Sequence, residues 1–281
     1  MQKTLKRYFP IFVAPTLLAF LIAFAIPFIM GIYLSFTKFT TVTNAQFVGL
    51  YNYKQIFTAG DHFLHALWFT VKFTVVSTIT VNVIAFCLAL LLTKGLRGTH
   101  FFRTVFFMPN LIGGIVLGYI WQLIINGFLS GLGVDITYSA NYGFWGLVLL
   151  TNWQLVGYMM IIYIAGLQNI SKEMYEAASI DGARPMQVLR HITLPLVMPS
   201  ITICFFLTLT NSFKMFDQNY ALTAGAPGRE TSMLALDIFQ TFYGSVGSEG
   251  IGQAKAVIFF ILVALLAGIQ LYFTRKREVD V

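Results

Sequence analysis

Polar side chains interrupt the apolar segment 196–215 at a spacing that places them on one side of a helix. Thr208, Asn211, Ser212 and Met215 follow the i, i+3, i+4, i+7 pattern of one helical face. Hydroxyl and amide groups exchange hydrogen bonds with a polar solute, and polar groups within a membrane segment are costly enough to indicate a function. The alternative is that Thr and Asn join neighbouring helices through hydrogen bonds. Both interpretations, solute binding and helix packing, stay open at this point.

The rest of the chain offers little reactive chemistry. Gln122 and Asn126, near the end of the segment 102–125, are weaker candidates for solute binding. The four His residues lack ligand spacing, the carboxylates are isolated, and no G-x-x-x-x-G-K-S/T phosphate-binding loop occurs in the sequence. We therefore expect no catalytic residue and no metal site, and we expect that this chain does not hydrolyse ATP.

The segment 176–195, E-A-A-S-I-D-G-A-R-P-M-Q-V-L-R-H-I-T-L-P, is polar and lies between two long apolar stretches. Its composition predicts a helix, a sharp turn and a second helix. Gly182 reaches left-handed dihedral angles without steric cost and ends the first helix, and Pro185 suits the first turn of the second. We place the helices at residues 175–180 and 185–192, with Leu194 and Pro195 redirecting the chain into the next apolar segment.

Composition indicates a membrane protein. The 281 residues are 57% hydrophobic and 10% charged, with a mean hydropathy of +0.76, whereas a soluble domain carries about 25% charged residues. The net charge of +7 does not indicate nucleic-acid binding, because the basic residues cluster beside apolar segments, where they act as topology signals.

A membrane-spanning helix needs about 20 predominantly apolar residues, and six segments satisfy this requirement. The sequence therefore predicts an all-α, polytopic membrane protein in which residues 1–281 form a single membrane domain and residues 168–195 form a loop between spans. The predicted spans are 11–35, 67–92, 102–125, 144–167, 196–215 and 256–274.

The Lys and Arg residues of short loops predict the orientation, because they accumulate on the cytoplasmic side. Twelve fall in one set of segments and four in the other. Both termini and the loop 168–195 are therefore predicted to be cytoplasmic. The twelve are Lys3, Lys6, Arg7, Lys94, Arg97, Arg103, Lys172, Arg184, Arg190, Arg275, Lys276 and Arg277, and the four are Lys38, Lys54, Arg229 and Lys255.

The polar loop resembles the cytoplasmic loop of ABC importer permeases, whose pattern is E-A-A, three residues, G, nine residues, I-x-L-P. Every defined position of that pattern is filled in this chain. The resemblance implies that the loop docks into a separate ATPase subunit. The residues that it assigns to docking are Glu176, Ala177, Ala178, Asp181, Gly182, Arg184, Ile192, Leu194 and Pro195.

Four further stretches extend the resemblance to the sugar-uptake branch of these permeases, specifically to the chain without a C-terminal coupling extension. They are residues 10–36, 47–53 (F-V-G-L-Y-N-Y), 97–109 and 223–228 (T-A-G-A-P-G), and Ala226 departs from the branch's second glycine in the last. Aligning that last stretch with maltose-uptake members places Thr208, Asn211, Ser212 and Met215 on sugar-contacting positions.

The resemblance also implies the working assembly. We expect a second, different permease chain, two ATPase subunits that hold ATP and magnesium, and an extracellular sugar-binding protein, with no cofactor on this chain. The substrate implied is an oligosaccharide of the raffinose or multiple-sugar type, and the location is the bacterial cytoplasmic membrane. A permease for amino acids or phosphate is the alternative, because importers share the E-A-A loop.

Overall fold

A computed structural model describes residues 2–58, 60–95 and 97–275, and the regular structure of this part of the chain is almost entirely helical. The all-α prediction is therefore confirmed; the described exception is a pair of two-residue antiparallel strands, β1 (Thr37–Lys38) and β2 (Gln46–Phe47). Lys276 and Arg277, which contributed to the predicted orientation, lie outside the described residues, as do the side chains of Lys3, Lys6, Arg7 and Arg275.

The helices are numbered in the order in which they follow one another along the chain. The first seven are α1 (Gln2–Phe20), α2 (Ile26–Leu34), α3 (Tyr51–Ile56), α4 (Phe63–Leu92), α5 (Thr99–Phe107), α6 (Gly114–Leu129) and α7 (Ala140–Gln168). The other seven are α8 (Lys172–Ile180), α9 (Pro185–Val188), α10 (Leu194–Leu196), α11 (Met198–Phe213), α12 (Asp217–Leu222), α13 (Leu234–Gly244) and α14 (Glu249–Arg275). Short 3-10 turns occupy Val42–Asn44, Met108–Leu111 and Ser130–Leu132.

Five helical segments among the described residues are long and apolar enough to cross a membrane, and a bent pair can supply a sixth. The five are Phe12–Leu34, Phe63–Leu92, Gly114–Leu132, Ala140–Gln168 and Glu249–Gln270. The pair is Pro185–Leu196 with Met198–Phe213, and its two parts meet at an angle of 69°.

The predicted third span, 102–125, does not correspond to one helix. It begins inside α5, crosses the 3-10 turn Met108–Leu111 and ends inside α6. Ile112 and Gly113 between them are extended, with ψ angles of 129° and 140°. Averaged hydropathy does not reveal this break, because the polar Asn110 beside it lies within a mostly apolar stretch. The span begins instead at Gly114.

Two of the prolines inside helical stretches follow a wider π turn. A proline has no N–H to donate and its ring displaces the preceding carbonyl. The π turn Leu21–Ala25 comes before Pro27, and the π turn Leu189–Thr193 comes before Pro195. In each turn an i→i−5 hydrogen bond takes the place of the usual i→i−4 bond of an α-helix. The prediction that Pro195 redirects the chain is therefore wrong. The bend falls at Val197 instead.

The described residues divide into two compact units, and the single-domain prediction stays a prediction. The first unit comprises Met1–Phe63 and Ile238–Phe260, and the second comprises Leu64–Asp237 and Ile261–Val281. In the second unit α7 is the most buried long helix, with 67% of its most apolar stretch inside the protein. Its Gly157 lets α5 approach closely, because a Cβ there would lie 1.7 Å from the carbonyl oxygen of Phe106.

The first unit contains a buried ion pair that the sequence did not reveal. Lys255, which is 1% exposed, places its Nζ 2.8 Å from Asp61 Oδ1 and 2.8 Å from Thr241 Oγ1. The same carboxylate oxygen accepts the N–H of Phe63 at 2.7 Å, where α4 begins. The predicted span 256–274 leaves Lys255 in a loop, but α14 begins at Glu249 and contains it.

Candidate functional site

A polar cavity of about 370 Å³ lies in the second unit where α7, α11 and α12 meet the break before α6. Amide groups dominate its polar wall, and two of them join α12 to α7, since Gln218 Nε2 donates to Gln154 Oε1 at 2.8 Å. The cavity is lined by Asn110, Gln154, Leu155, Tyr158, Asn211, Lys214, Met215, Phe216, Asp217 and Gln218. It therefore offers hydrogen-bond donors and acceptors together with aromatic surface.

The structure separates the four residues that the sequence placed on one face of α11. Asn211 is exposed and lines the cavity, and Met215 lines it from just beyond the end of α11. Thr208 and Ser212 are fully buried and do not line it. Thr208 and Ser212 are therefore not part of the cavity wall in this structure, and their assignment to solute binding stays a prediction.

Thr208 belongs to a buried hydrogen-bond network that joins three helices. Its hydroxyl donates to Cys204 O at 2.7 Å and accepts from Asn82 Nδ2 of α4 at 3.2 Å. Asn82 Oδ1 in turn accepts from Tyr163 Oη of α7 at 2.7 Å. This arrangement matches the helix-packing interpretation of Thr208, the alternative that the sequence left open.

The two weaker candidates also serve helix packing. Gln122 Nε2 donates to the carbonyl oxygen of Leu222 at 3.0 Å, which joins α6 to α12. Asn126 Oδ1 accepts the N–H of Ile136 at 2.9 Å and holds the loop that follows α6. Neither residue lines the cavity.

Sequence reasoning missed the wall that α7 contributes. Thr151, Gln154, Leu155 and Tyr158 repeat the i, i+3, i+4, i+7 spacing that drew attention to α11. Gln154 and Tyr158 line the cavity, and Thr151 Oγ1 lies 3.9 Å from Met215 Sδ. Applying the same test to the predicted span 144–167 would have found them.

The polar loop forms the predicted helix, turn and helix. Helix α8 ends in a Schellman motif, in which Ala183 N donates to Ala178 O at 2.9 Å and Gly182 N donates to Ser179 O at 3.1 Å. Gly182 has the predicted left-handed conformation, with φ of 72°. Gln187 Oε1 then accepts the N–H of Arg184 at 2.7 Å, which caps the start of α9.

A groove of about 540 Å³ lies between the two helices of this loop. Five of the nine residues assigned to docking line it, namely Ala177, Ala178, Asp181, Gly182 and Ile192. Glu176 and Arg184 are exposed outside the groove, and Leu194 and Pro195 are half-buried. The structure thus brings most of the motif together on one accessible surface.

Within the described residues, no group of three or more His, Cys, Asp or Glu side chains is arranged to hold a metal ion.

Comparison with known proteins places this geometry in a family. Residues 85–279 match the family model described as "Binding-protein-dependent transport system inner membrane component". The chain is 44% identical to the probable starch degradation products transport system permease protein AmyD of Thermoanaerobacterium thermosulfurigenes, over 96% of this chain and 94% of that protein. It is 32% identical to the multiple sugar-binding transport system permease protein MsmF of Streptococcus mutans, over 99% of both chains.

A solved structure agrees on the fold. A chain of a bacterial ABC transporter involved in the import of the acidic polysaccharide alginate superimposes with a TM-score of 0.80, covers 98% of both chains and is 19% identical. At that identity the likeness concerns the fold alone. Because the family model matches most of the chain and the relatives match nearly all of it, the chain belongs to the binding-protein-dependent transport system inner membrane components, and it is a permease subunit of an ABC transporter, not an enzyme.

Proposed function

We propose that this permease moves an oligosaccharide, of the raffinose or multiple-sugar type, into the cytoplasm by alternating access around the polar cavity. Transporter sites lie near the bilayer midplane at the interface of helices. The observation that carries the proposal is the amide-rich wall formed by Asn110, Gln154, Asn211 and Gln218. Each amide both donates and accepts, as the hydroxyls of a sugar require.

The relatives support a carbohydrate over the alternative substrates. Two of them carry names that refer to starch degradation products and multiple sugars. An amino acid or phosphate permease, which the shared E-A-A loop left open, has weaker support because the cavity offers mostly neutral polar groups. A volume of about 370 Å³ falls within the roughly 300–1,000 Å³ that is usual for small-molecule sites.

The partners follow from the same proposal. The groove of the polar loop receives one of two ATPase subunits, which hold ATP and magnesium, while a second, different permease chain completes the membrane part. An extracellular binding protein delivers the sugar. The excess of Lys and Arg on one set of loops supports cytoplasmic termini and a cytoplasmic groove.

Replacing Asn211 by alanine is expected to weaken sugar binding while basal ATP hydrolysis and assembly stay intact. Asn211 is exposed to the cavity, so its loss removes a hydrogen bond to the solute and leaves helix packing unchanged. A lost partner of this kind costs about 1–3 kcal/mol, or roughly 5- to 150-fold in Kd. Equilibrium sugar binding and uptake by the reconstituted complex measure the effect.

Thr208→Val is the matched control on the same helix. It keeps the shape of a buried side chain and removes the hydroxyl that accepts from Asn82. We expect lower stability and an unchanged sugar profile in the complex that assembles. If Asn211→Ala reduced assembly and left the sugar profile unchanged, the cavity would not be the solute site.

Orientation is tested by cysteine labelling. Ile180, 86% exposed at the end of α8, and Val246, 90% exposed between α13 and α14, lie on predicted opposite sides of the membrane. In a background with Cys87 and Cys204 replaced by serine, a membrane-impermeant maleimide added to intact cells should label Val246→Cys and not Ile180→Cys. The reverse pattern would contradict the proposed orientation and with it the docking of an ATPase.

A further inference from the structure

The cavity carries two opposite charges that do not form an ion pair. Lys214 and Asp217 are the charged members of its ten lining residues, and both are exposed. Three positions separate them along the chain, yet no salt bridge joins them in the part of the chain that the structure describes. Neither charge is therefore neutralised by direct contact with the other.

Helix packing fixes the position of Asp217. The helix α12 lies so close to α6 that two positions of α6 have no room for a side chain, and both are glycine. A Cβ on Gly114 would lie 2.6 Å from the Cβ of Asp217, and a Cβ on Gly118 would lie 2.6 Å from the Cβ of Ala221. On the other side, the hydrogen bond from Gln218 Nε2 to Gln154 Oε1 joins α12 to α7. The backbone that bears Asp217 is thus held from two directions.

Lys214 lacks that restraint. It follows the last residue of α11, and its four-carbon side chain is exposed. Such a side chain carries a strongly hydrated ammonium group that moves readily to water. The short carboxylate of Asp217 has two rotatable bonds and stays close to its fixed backbone. A solute in the cavity therefore meets a fixed negative charge and a mobile positive one.

We propose that Asp217 sets the charge specificity of this permease by repelling oligosaccharides that carry carboxylates, so that neutral sugars are preferred. This inference rests on the proposed function, in which the cavity binds carbohydrate. Low-dielectric walls concentrate the field of a charge within a cleft. At the few ångströms that separate a wall residue from a bound sugar, a like charge that no ion pair neutralises costs enough to change affinity by about tenfold.

The experiment compares two probes that differ in one charged group. They are raffinose and the same trisaccharide with one primary CH₂OH oxidised to a carboxylate. Binding is measured at equilibrium to the complete transporter in lipid nanodiscs, without ATP and without the external binding protein, so that this chain's cavity and not the delivery protein sets the preference. The wild type should bind raffinose more tightly. In Asp217→Asn, the ratio of the acidic Kd to the neutral Kd should fall by about tenfold.

Two variants and one measurement on the wild type control for other causes. Lys214→Gln should leave that ratio unchanged or raise it, and Glu173→Gln, an exposed acid on α8 outside the cavity, should leave it unchanged. In the wild type, raising the salt concentration should lower the ratio because salt screens charges. This last result tests the proposal even if Asp217→Asn does not fold.

Two outcomes would overturn the charge-specificity proposal and leave the sugar site standing. One is a wild type that binds raffinose but does not prefer it to the acidic probe. The other is a folded Asp217→Asn variant whose ratio of Kd values equals that of the wild type, whatever the effect of salt. If the wild type binds neither probe, the proposed carbohydrate site is wrong and the specificity proposal falls with it.

Discussion

Replacing Lys255 by methionine is expected to lower the free energy of unfolding by about 3–5 kcal/mol, because removing one partner leaves the other charge buried and unpaired. Lys255 is 1% exposed and Asp61 is 16% exposed, so water reaches the remaining carboxylate poorly. The carboxylate would retain one hydrogen bond, from the N–H of Phe63. Thermal or denaturant unfolding of the detergent-solubilised protein measures the loss.

Two variants decide whether the ion pair itself is responsible. Lys54→Met removes an exposed lysine from the same unit and should have little effect. The double variant Lys255→Met, Asp61→Asn removes both charges and keeps an oxygen to accept the N–H of Phe63, so it should recover most of the lost stability. A single Lys255→Met variant as stable as the wild type would contradict this account.

Replacing Gly182 by proline is expected to abolish sugar uptake and to reduce substrate-stimulated ATP hydrolysis to nearly the basal rate. The φ angle of Gly182 is 72°, whereas the proline ring holds φ near about −65° and removes the N–H. The hydrogen bond to Ser179 O is lost, and the chain cannot reverse between α8 and α9. The proposed docking groove would therefore lose its shape while the membrane spans remain inserted.

Gly182→Asn provides the matched control. No atom lies within 4 Å of a Cβ at this position, and asparagine tolerates the left-handed conformation better than other residues with side chains. Expression, uptake and stimulated hydrolysis should therefore stay close to wild type. Normal stimulation in a well-expressed Gly182→Pro complex would show that the loop does not couple hydrolysis to transport in the proposed way.

Much of the fold could be predicted because long apolar segments have few alternatives in a membrane. The predicted span 67–92 ends at the same residue as α4, and 144–167 lies within α7. The boundaries failed where hydropathy carries no signal. The break at Ile112 and Gly113 has one polar neighbour, Asn110, within a mostly apolar stretch, and Pro195 continues a helix after a π turn.

The candidate site was harder to predict because helical periodicity identifies a face and not what covers it. Thr208 and Asn211 are both polar and both belong to the same predicted helical face. In the structure, however, Asn82 donates a hydrogen bond to Thr208, whereas Asn211 lines the cavity. The contribution of Gln154 depends on α12, a six-residue helix that no pattern in the sequence indicated. The ion pair of Lys255 and Asp61 joins residues nearly two hundred positions apart. A single sequence does not show which distant residues are in contact.

The bend at Val197 joins the polar loop to the helix that carries Asn211, so a tilt at the bend would move the cavity wall. Val197 is fully buried, and the 16 residues of α11 beyond it make a rod about 24 Å long at 1.5 Å per residue. Asn211 lies near the far end of that rod. A rotation of about 10° at the bend moves that end by about 4 Å, more than the length of a hydrogen bond. If Asn211 binds the solute as proposed, a small tilt is enough to make or break that contact.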